Sequence, residues 1–148
     1  MKIVFVCTGN ICRSAMAEAI MRKKEPNLDV SSCGTWAYEG DTASKKAILA
    51  AAEKGADLSN HKSRRADSEI LWDADLILTM TKEHKTALEA IIPNTEKRLY
   101  TICEFADGSN EDISDPYGKS VEEYLECADE LEILIEKIIE KVKNKSIV

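Results

Sequence analysis

The chain has 148 residues, of which 44% are hydrophobic and 32% charged, and its net charge is −7 at pH 7. This composition predicts one globular domain over residues 1–148, and the acidic balance argues against a general nucleic-acid binder. No stretch approaches the ~20 apolar residues of a membrane span or the apolar core of a signal peptide. We therefore expect a monomeric cytoplasmic protein that does not bind membranes.

The cysteines are five in number, at irregularly spaced positions 7, 12, 33, 103 and 127. An odd count with this spacing is not typical of a disulfide framework or of paired zinc-binding knuckles. The pattern instead favours a reducing compartment, and it predicts no structural metal.

The first third of the chain predicts a β-α-β unit. The apolar run Ile3–Val6 indicates a buried strand, and the segment Cys7–Ser14 leads from it into helix-favouring residues. We predict a helix to about Lys24, ended by Pro26, and a second strand over Leu28–Cys33. This order predicts parallel strands joined by a right-handed crossover.

The middle of the chain predicts further alternation of helices and strands. Gly55 is expected to end one helix in the left-handed conformation, and Thr81 to cap another at its N-terminus. The predicted elements are an aromatic loop over Thr35–Thr42, helices over Ala43–Lys54, Asp67–Trp72 and Lys82–Ile91, and strands over Asp75–Thr79 and Arg98–Thr101, the last at a sheet edge.

The C-terminal part predicts a helical turn near Cys103–Phe105, an irregular segment over Ala106–Lys119, and a long helix. Loops as long as this segment are usually functional or disordered. Ser120 and Glu123 have the spacing of a capping box. One apolar stripe follows at alternating four- and three-residue steps: Tyr124, Ala128, Leu131, Ile135, Ile138 and Val142. Residues 144–148 are expected to fray.

Together these elements predict an α/β fold, a doubly wound four-stranded parallel sheet with helices on both faces. Ligands of such sheets bind beyond the carboxyl ends of the strands, at a switch point in strand order. The loop after the first strand is the natural place for such a site.

That loop, Cys7-Thr8-Gly9-Asn10-Ile11-Cys12-Arg13-Ser14, combines features that favour phosphate binding. A helix N-terminus offers free N–H groups and a positive dipole end, and successive N–H groups in a turn can form an anion-binding nest. Arg13 adds a planar fork for two phosphate oxygens. The same surroundings stabilise the thiolate form of a cysteine such as Cys7. The phosphate contacts are expected from Thr8, Gly9, Asn10, Ile11, Cys12 and Arg13.

The string Val6–Ser14, followed by Met16-Ala17-Glu18, resembles the phosphate loop of the low-molecular-weight protein-tyrosine-phosphatase family. Asp115-Pro116-Tyr117 resembles the same family's general-acid motif. The resemblance implies hydrolysis of phosphotyrosine in phosphorylated proteins through a phosphocysteine intermediate, without metal or cofactor. Inorganic phosphate would be product and inhibitor. Cys7 would be the nucleophile, Arg13 the phosphate clamp and Asp115 the general acid.

The resemblance also implies supporting roles in the loop. Ser14 would steady the thiolate, Asn10 would hold the loop shape, and His61 would bond into that network rather than bind a metal. Cys12 is open to two interpretations, a partner for a reversible disulfide with Cys7 under peroxide, or a small buried hydrophobic residue.

The substrate cleft is expected to include Ile11, Trp36 and Tyr117. Trp36 and Tyr38 are the two aromatic residues of the loop after the second strand, and we place Trp36 first among them. His84 is predicted to face solvent from its helix.

Three alternatives remain open. Thr79–Lys85 and Asp115–Ser120 resemble protein-arginine phosphatases of the same family, but those members have Thr where Ile11 stands, and an apolar side chain favours an aromatic ring. An arsenate reductase would need further thiols after the third strand, and residues 80–95 contain no cysteine. The presence of both Cys7 and Asp115 argues against a non-catalytic oxyanion-binding or redox-sensing module.

Overall fold

The computed structural model describes residues 1–145. In chain order its elements are β1 (Lys2–Cys7), α1 (Arg13–Lys24), β2 (Asp29–Gly34), α2 (Lys45–Glu53), α3 (Ser68–Leu71), β3 (Leu76–Thr79), α4 (Lys82–Glu89), β4 (Leu99–Thr101), α5 (Ile102–Asp107) and α6 (Val121–Lys145).

The four strands form one parallel sheet in the order β2-β1-β3-β4. All four predicted strands are confirmed, including β4 at an edge. The chain moves from β1 to β2 on one side and places β3 and β4 on the other. The carboxyl end of β1 is therefore a switch point of the kind where open α/β sheets bind ligands.

Both faces of the sheet are buried, which explains why the two central strands, β1 and β3, are continuous apolar runs rather than alternating ones. Ile3 and Phe5 of β1 pack in a core with α1, α2, α5 and α6, whereas Val4 and Val6 pack in a second core with Leu71 of α3 and Leu88 of α4. The predicted doubly wound architecture is confirmed.

Local signals set most of the helix ends. The Thr81 side chain accepts a hydrogen bond from the His84 amide and caps α4. Gly55 has φ +74° just beyond α2, as predicted. The Ser120 hydroxyl accepts from the Glu123 amide at 3.3 Å at the start of α6.

Some predicted bounds differ from the structure. Helix α2 begins at Lys45 rather than Ala43, because the Ser44 side chain caps it. A capping box between Thr101 and Glu104 makes α5 a six-residue helix rather than a single turn. Residues 144–145 belong to α6 instead of fraying, and the rest of that predicted tail, 146–148, lies outside the described residues. Within residues 1–145, none of the helices combines the length and apolarity that crossing a membrane requires.

Candidate active site

Residues 8–12 connect β1 to α1 at the carboxyl edge of the sheet. The first turn of α1 contains no acidic residue, and the Cys12 side chain makes no capping hydrogen bond. The N-terminal amides of α1 therefore lack a side-chain partner. They leave an open position for an anion, which the helix dipole also favours.

Cys7, at the end of β1, is buried and its Sγ lies 2.9 Å from Ser14 Oγ. Asn10 Nδ2 donates to the same Ser14 oxygen at 2.8 Å and to Ser32 Oγ at 2.9 Å. The Ser14 hydroxyl has two acceptors for its own proton, and the Cys7 sulfur is closer than the Cys33 carbonyl oxygen at 3.4 Å. This arrangement stabilises negative charge on that sulfur.

Asn10 holds the loop in shape from a completely buried position. Its φ of 57° lies in the left-handed region, which Asn tolerates better than most residues. Its Oδ1 accepts from the Arg64 amide at 3.0 Å, and its carbonyl oxygen lies 2.6 Å from His61 Nε2. A carbonyl only accepts, so His61 carries the proton on Nε2. The structure thus places His61 behind the loop.

Ser32 extends this network into β2 and α1. Its hydroxyl accepts from Asn10 and donates to Glu18 Oε1 at 2.6 Å. The Asn10 amide therefore donates in two directions, to Ser14 beside the Cys7 sulfur and to Ser32, which passes its own proton on toward Glu18. Neither Ser32 nor Glu18 was expected at the site from the sequence.

Gly34, at the end of β2, is paired with Cys7 in the sheet. A Cβ atom added to Gly34 would lie 2.3 Å from the Thr8 carbonyl oxygen and 3.0 Å from the Asn10 nitrogen. Just beyond it, the Thr35 and Trp36 amides donate to the carbonyls of Cys7 and Thr8, each at 2.9 Å. The missing side chain of Gly34 is what lets these two segments approach.

The Arg13 side chain is only 5% exposed and holds the loop to the segment before α6. Its Nη1 donates to the Ile113 carbonyl at 2.9 Å, and its Nη2 lies 3.5 Å from Asp115 Oδ2. Its Nε is buried with no hydrogen-bond partner. A buried donor left unpaired is costly, and an anion in the loop would supply the missing acceptor.

Asp115 lines, together with Arg13, the cavity at the mouth of the loop. Its Oδ1 accepts from the Tyr117 amide at 3.0 Å, and the side chain is half exposed. Pro116 fixes the backbone between them. The turn therefore presents the carboxyl group to both the cavity and solvent.

The cavity at the mouth of the loop has a volume of about 210 Å³. It brings together most of the residues expected to bind phosphate, act in catalysis or line the cleft, whereas Asn10, Ser14 and His61 lie behind it. Tyr38 and Asp41 also line it; the aromatic loop drew attention to Tyr38, but no pattern pointed to Asp41. The lining residues are Cys7, Thr8, Gly9, Ile11, Cys12, Arg13, Trp36, Tyr38, Asp41, Asp115 and Tyr117.

The prediction that His84 faces solvent is wrong. The side chain is only 6% exposed, and its Nε2 lies 2.8 Å from Thr8 Oγ1 and its Nδ1 3.0 Å from Thr81 Oγ1. Burial, aided by the nearby Arg13 charge, lowers the pKa of His84 to about 4. The imidazole is therefore neutral near pH 7 and ties the phosphate loop to the start of α4.

Cys12 is the second thiol of the cavity. Its Sγ lies 3.3 Å from the Tyr124 hydroxyl and 3.5 Å from Ser44 Oγ. Burial raises the pKa of the Cys12 thiol above its ordinary value and raises the pKa of Tyr124 to about 12. Cys12 is thus a protonated thiol, and all five cysteines are free. Among the described residues, no three His, Cys, Asp or Glu side chains group as a metal ion would require.

Comparison with known proteins identifies the family. Residues 2–147 match the family model of low molecular weight phosphotyrosine protein phosphatases. The chain belongs to this family. A protein-arginine-phosphatase of Geobacillus stearothermophilus is 38% identical over 145 residues, which are 97% of each chain. A low molecular weight protein-tyrosine-phosphatase, Wzb of Salmonella typhi, is 37% identical over 119 residues, 80% of this chain and 78% of that protein.

Solved structures of the phosphatase family agree with this fold. A low molecular weight protein tyrosine phosphatase from T. tengcongensis is 41% identical, with a TM-score of 0.90 over 95% of this chain and 99% of that one. An arginine phosphatase from Geobacillus stearothermophilus is 37% identical, with a TM-score of 0.93 over 99% of this chain and 95% of that one. The named relatives act on two kinds of phosphorylated residue, so the choice between them rests on the cavity itself.

Proposed function

We propose that this phosphatase hydrolyses phosphotyrosine in proteins through a phosphocysteine intermediate. The observation that carries the proposal is the Cys7 sulfur, 2.9 Å from a hydroxyl and lining one cavity with Arg13 and Asp115. A candidate nucleophile, anion clamp and acid thus line one cavity of about 210 Å³. This convergence is the geometric signature of nucleophilic phosphoryl transfer.

In the first step the Cys7 thiolate attacks phosphorus. The sulfur–phosphorus bond forms, the bond from phosphorus to the phenolic oxygen breaks, and Asp115 gives its proton to that oxygen. The unpartnered Nε of Arg13 and the α1 amides bind the non-bridging oxygens. Charge developing there is stabilised by donors already in place.

In the second step water attacks the phosphorus of the phosphocysteine. Asp115 takes a proton from that water, the sulfur–phosphorus bond breaks, and inorganic phosphate is released. The Ser14 hydroxyl, aimed at the sulfur, stabilises the departing thiolate. Arg13 and the amides carry the charge, so these steps call for no metal.

Substitution of the nucleophile tests the proposal. Cys7→Ser should lower kcat for para-nitrophenyl phosphate by roughly 10³-fold or more, while inorganic phosphate still binds, as isothermal titration would show. Cys103→Ala, which removes a buried thiol outside the cavity, is the matched control and should keep turnover. Wild-type turnover by Cys7→Ser would overturn the proposal.

The preference for phosphotyrosine rests on apolar surface in the cavity. Ile11 lines it with Tyr38 and Tyr117, and the isoleucine side chain packs against an aromatic ring but offers no hydrogen bond to a guanidinium group. Phosphoarginine is the second candidate, because relatives named as arginine phosphatases are 37–38% identical.

Peptides carrying phosphotyrosine or phosphoarginine, compared by kcat/KM, decide between the two. We expect phosphotyrosine to be preferred, and Ile11→Thr to shift the ratio of the two kcat/KM values toward phosphoarginine. Ile133→Thr, on an exposed position of α6, is the control and should leave the ratio unchanged. A preference of the unmodified protein for phosphoarginine would refute the assignment.

We also propose that Cys12 protects the nucleophile from over-oxidation. Peroxide would convert the Cys7 thiolate to a sulfenic acid, and the Cys12 thiol would condense with it to a disulfide, releasing water. Both sulfurs line the same cavity, which supports the pairing. Peroxide-treated protein should recover activity with dithiothreitol, and Cys12→Ser should lose that recovery.

We also propose a compartment, substrates and an oligomeric state for the enzyme. Five free cysteines support a reducing compartment such as the cytoplasm. Phosphorylated proteins are the proposed substrates, and inorganic phosphate should inhibit competitively because it occupies the same loop. We propose a monomer, which light scattering would test.

A further inference from the structure

We infer that a bulky apolar side chain of the substrate, close in sequence to the phosphorylated residue, binds in a groove between Trp36 and α4. This inference rests on the proposed function and specifies the substrate class. The groove has a volume of about 290 Å³ and is separate from the catalytic cavity. We call it the flanking groove. Its apolar wall consists of Trp36, Ala66, Ala87, Leu88 and Ile91.

The flanking groove shares a wall with the catalytic cavity. Thr8 and Trp36 line both, and Thr8 directly follows the nucleophile Cys7. A substrate chain that leaves the catalytic cavity over Trp36 therefore passes this groove. An extended chain advances ~3.3–3.6 Å per residue, so a residue one to three positions from the phosphorylated one reaches it.

The groove presents apolar surface that the fold leaves uncovered. Trp36 is 72% exposed and Ile91 50% exposed. Exposed apolar patches beside polar groups commonly mark binding sites, and tryptophan is prominent among residues that dominate binding energy.

The walls of the groove are held in place before any substrate arrives. The Arg65 guanidinium lies 4.8 Å from the centroid of the Trp36 ring, and the Trp36 amide donates to the Thr8 carbonyl. His84, on α4, bonds to the Thr8 hydroxyl at 2.8 Å. Binding to a preformed site costs less ordering entropy.

The size and charge of the groove favour a substrate side chain over other ligands. Its volume is at the lower end for small-molecule sites, which begin at about 300 Å³. Glu83 adds a carboxylate to its lining, in a protein with net charge −7. Acidic residues at this place in the substrate should be disfavoured, and leucine or phenylalanine preferred.

A set of phosphopeptides tests the inference. Each peptide places Leu, Ser or Asp at one position from −3 to +3 around the phosphorylated residue, in a phosphotyrosine and a phosphoarginine series. We expect Leu at one position to raise kcat/KM about five- to tenfold over Ser, which corresponds to partial burial of a leucine side chain. Asp at that position should give a lower kcat/KM than Ser.

Two arginine variants test whether the preference for leucine arises in the flanking groove. Ala87→Arg places a long side chain in the groove and should reduce the Leu-to-Ser ratio to about one. Ala90→Arg makes the same change at an exposed position of the same helix end, outside the groove, and should keep the wild-type ratio. Ile91→Ser should lower the ratio without filling the groove.

The outcomes separate this inference from the proposed function. Equal kcat/KM for Leu and Ser peptides at every position would overturn the inference and leave the proposed function standing. A dimer that Ala87→Arg dissociates, seen together with such equal values, would assign the groove to a second copy of the chain. Failure to hydrolyse either phosphopeptide series would overturn both.

Discussion

A single methyl group added at Gly34 should displace the catalytic loop and lower activity, although Gly34 lies outside that loop. In Gly34→Ala the new Cβ would lie 2.3 Å from the Thr8 carbonyl oxygen. Ordinary carbon–oxygen contacts begin at about 3.3 Å, so the loop must retreat by about 1 Å. A displacement of that size in a catalytic site costs about 10²-fold in rate. Overpacking should cost about 1–3 kcal/mol in the free energy of unfolding.

The assay measures kcat/KM for para-nitrophenyl phosphate, the inhibition constant of phosphate, and Tm. Ser31→Ala, in the same strand, is the control: its hydroxyl is buried without a partner, so activity and Tm should be kept or Tm raised. Replacing glycine by alanine where there is room stabilises a protein by about 0.4–1 kcal/mol. Gly34→Ala with wild-type kcat/KM and unchanged phosphate inhibition would therefore refute the steric argument.

Three further predictions follow from the site. His84 has a folded pKa of about 4 and an ordinary value of 6.5, so the unfolded state binds a proton first as pH falls. Between pH 6.5 and 4 the wild type should lose about 3 kcal/mol more stability than His84→Gln, measured by urea unfolding; equal pH slopes would contradict this. Asn10→Ala should cost about 2–4 kcal/mol by the same measurement, since it removes buried hydrogen bonds around a left-handed residue. Asp115→Asn should slow the hydrolysis of substrates with poor leaving groups about 10²-fold, but that of para-nitrophenyl phosphate much less. An equal effect on both would argue against Asp115 as the general acid.

The fold could be predicted from sequence because its determinants are local. Buried β runs such as Ile3–Val6 and helix signals such as Thr81 and Gly55 each act over a few residues. The parallel order followed from the alternation of these elements. Element ends were less certain, as α5 shows, because its capping box joins directly onto β4.

Much of the site, in contrast, depends on contacts between distant parts of the chain. Cys7, Arg13 and Ser14 share one short motif, so their proximity follows from sequence. The bond from Thr8 to His84 spans 76 residues and exists because β1 and β3 are neighbours in the sheet. His84 lies one helical turn before Leu88 on the buried face of α4, but the hydrogen bond that it makes there depends on this strand order. No sequence period signals such a pairing.

The link between Arg13 and Ile113, and the contact between Cys12 and Tyr124, have a consequence for synthesis of the protein. These partners are 100 and 112 residues apart. The loop is synthesised long before these partners, so Arg13 acquires its anchor only when the segment before α6 has been made, and Cys12 only when α6 has docked. A nascent chain that ends before these partners carries the whole signature string without its supports, so dephosphorylation should begin only after α6 has been synthesised.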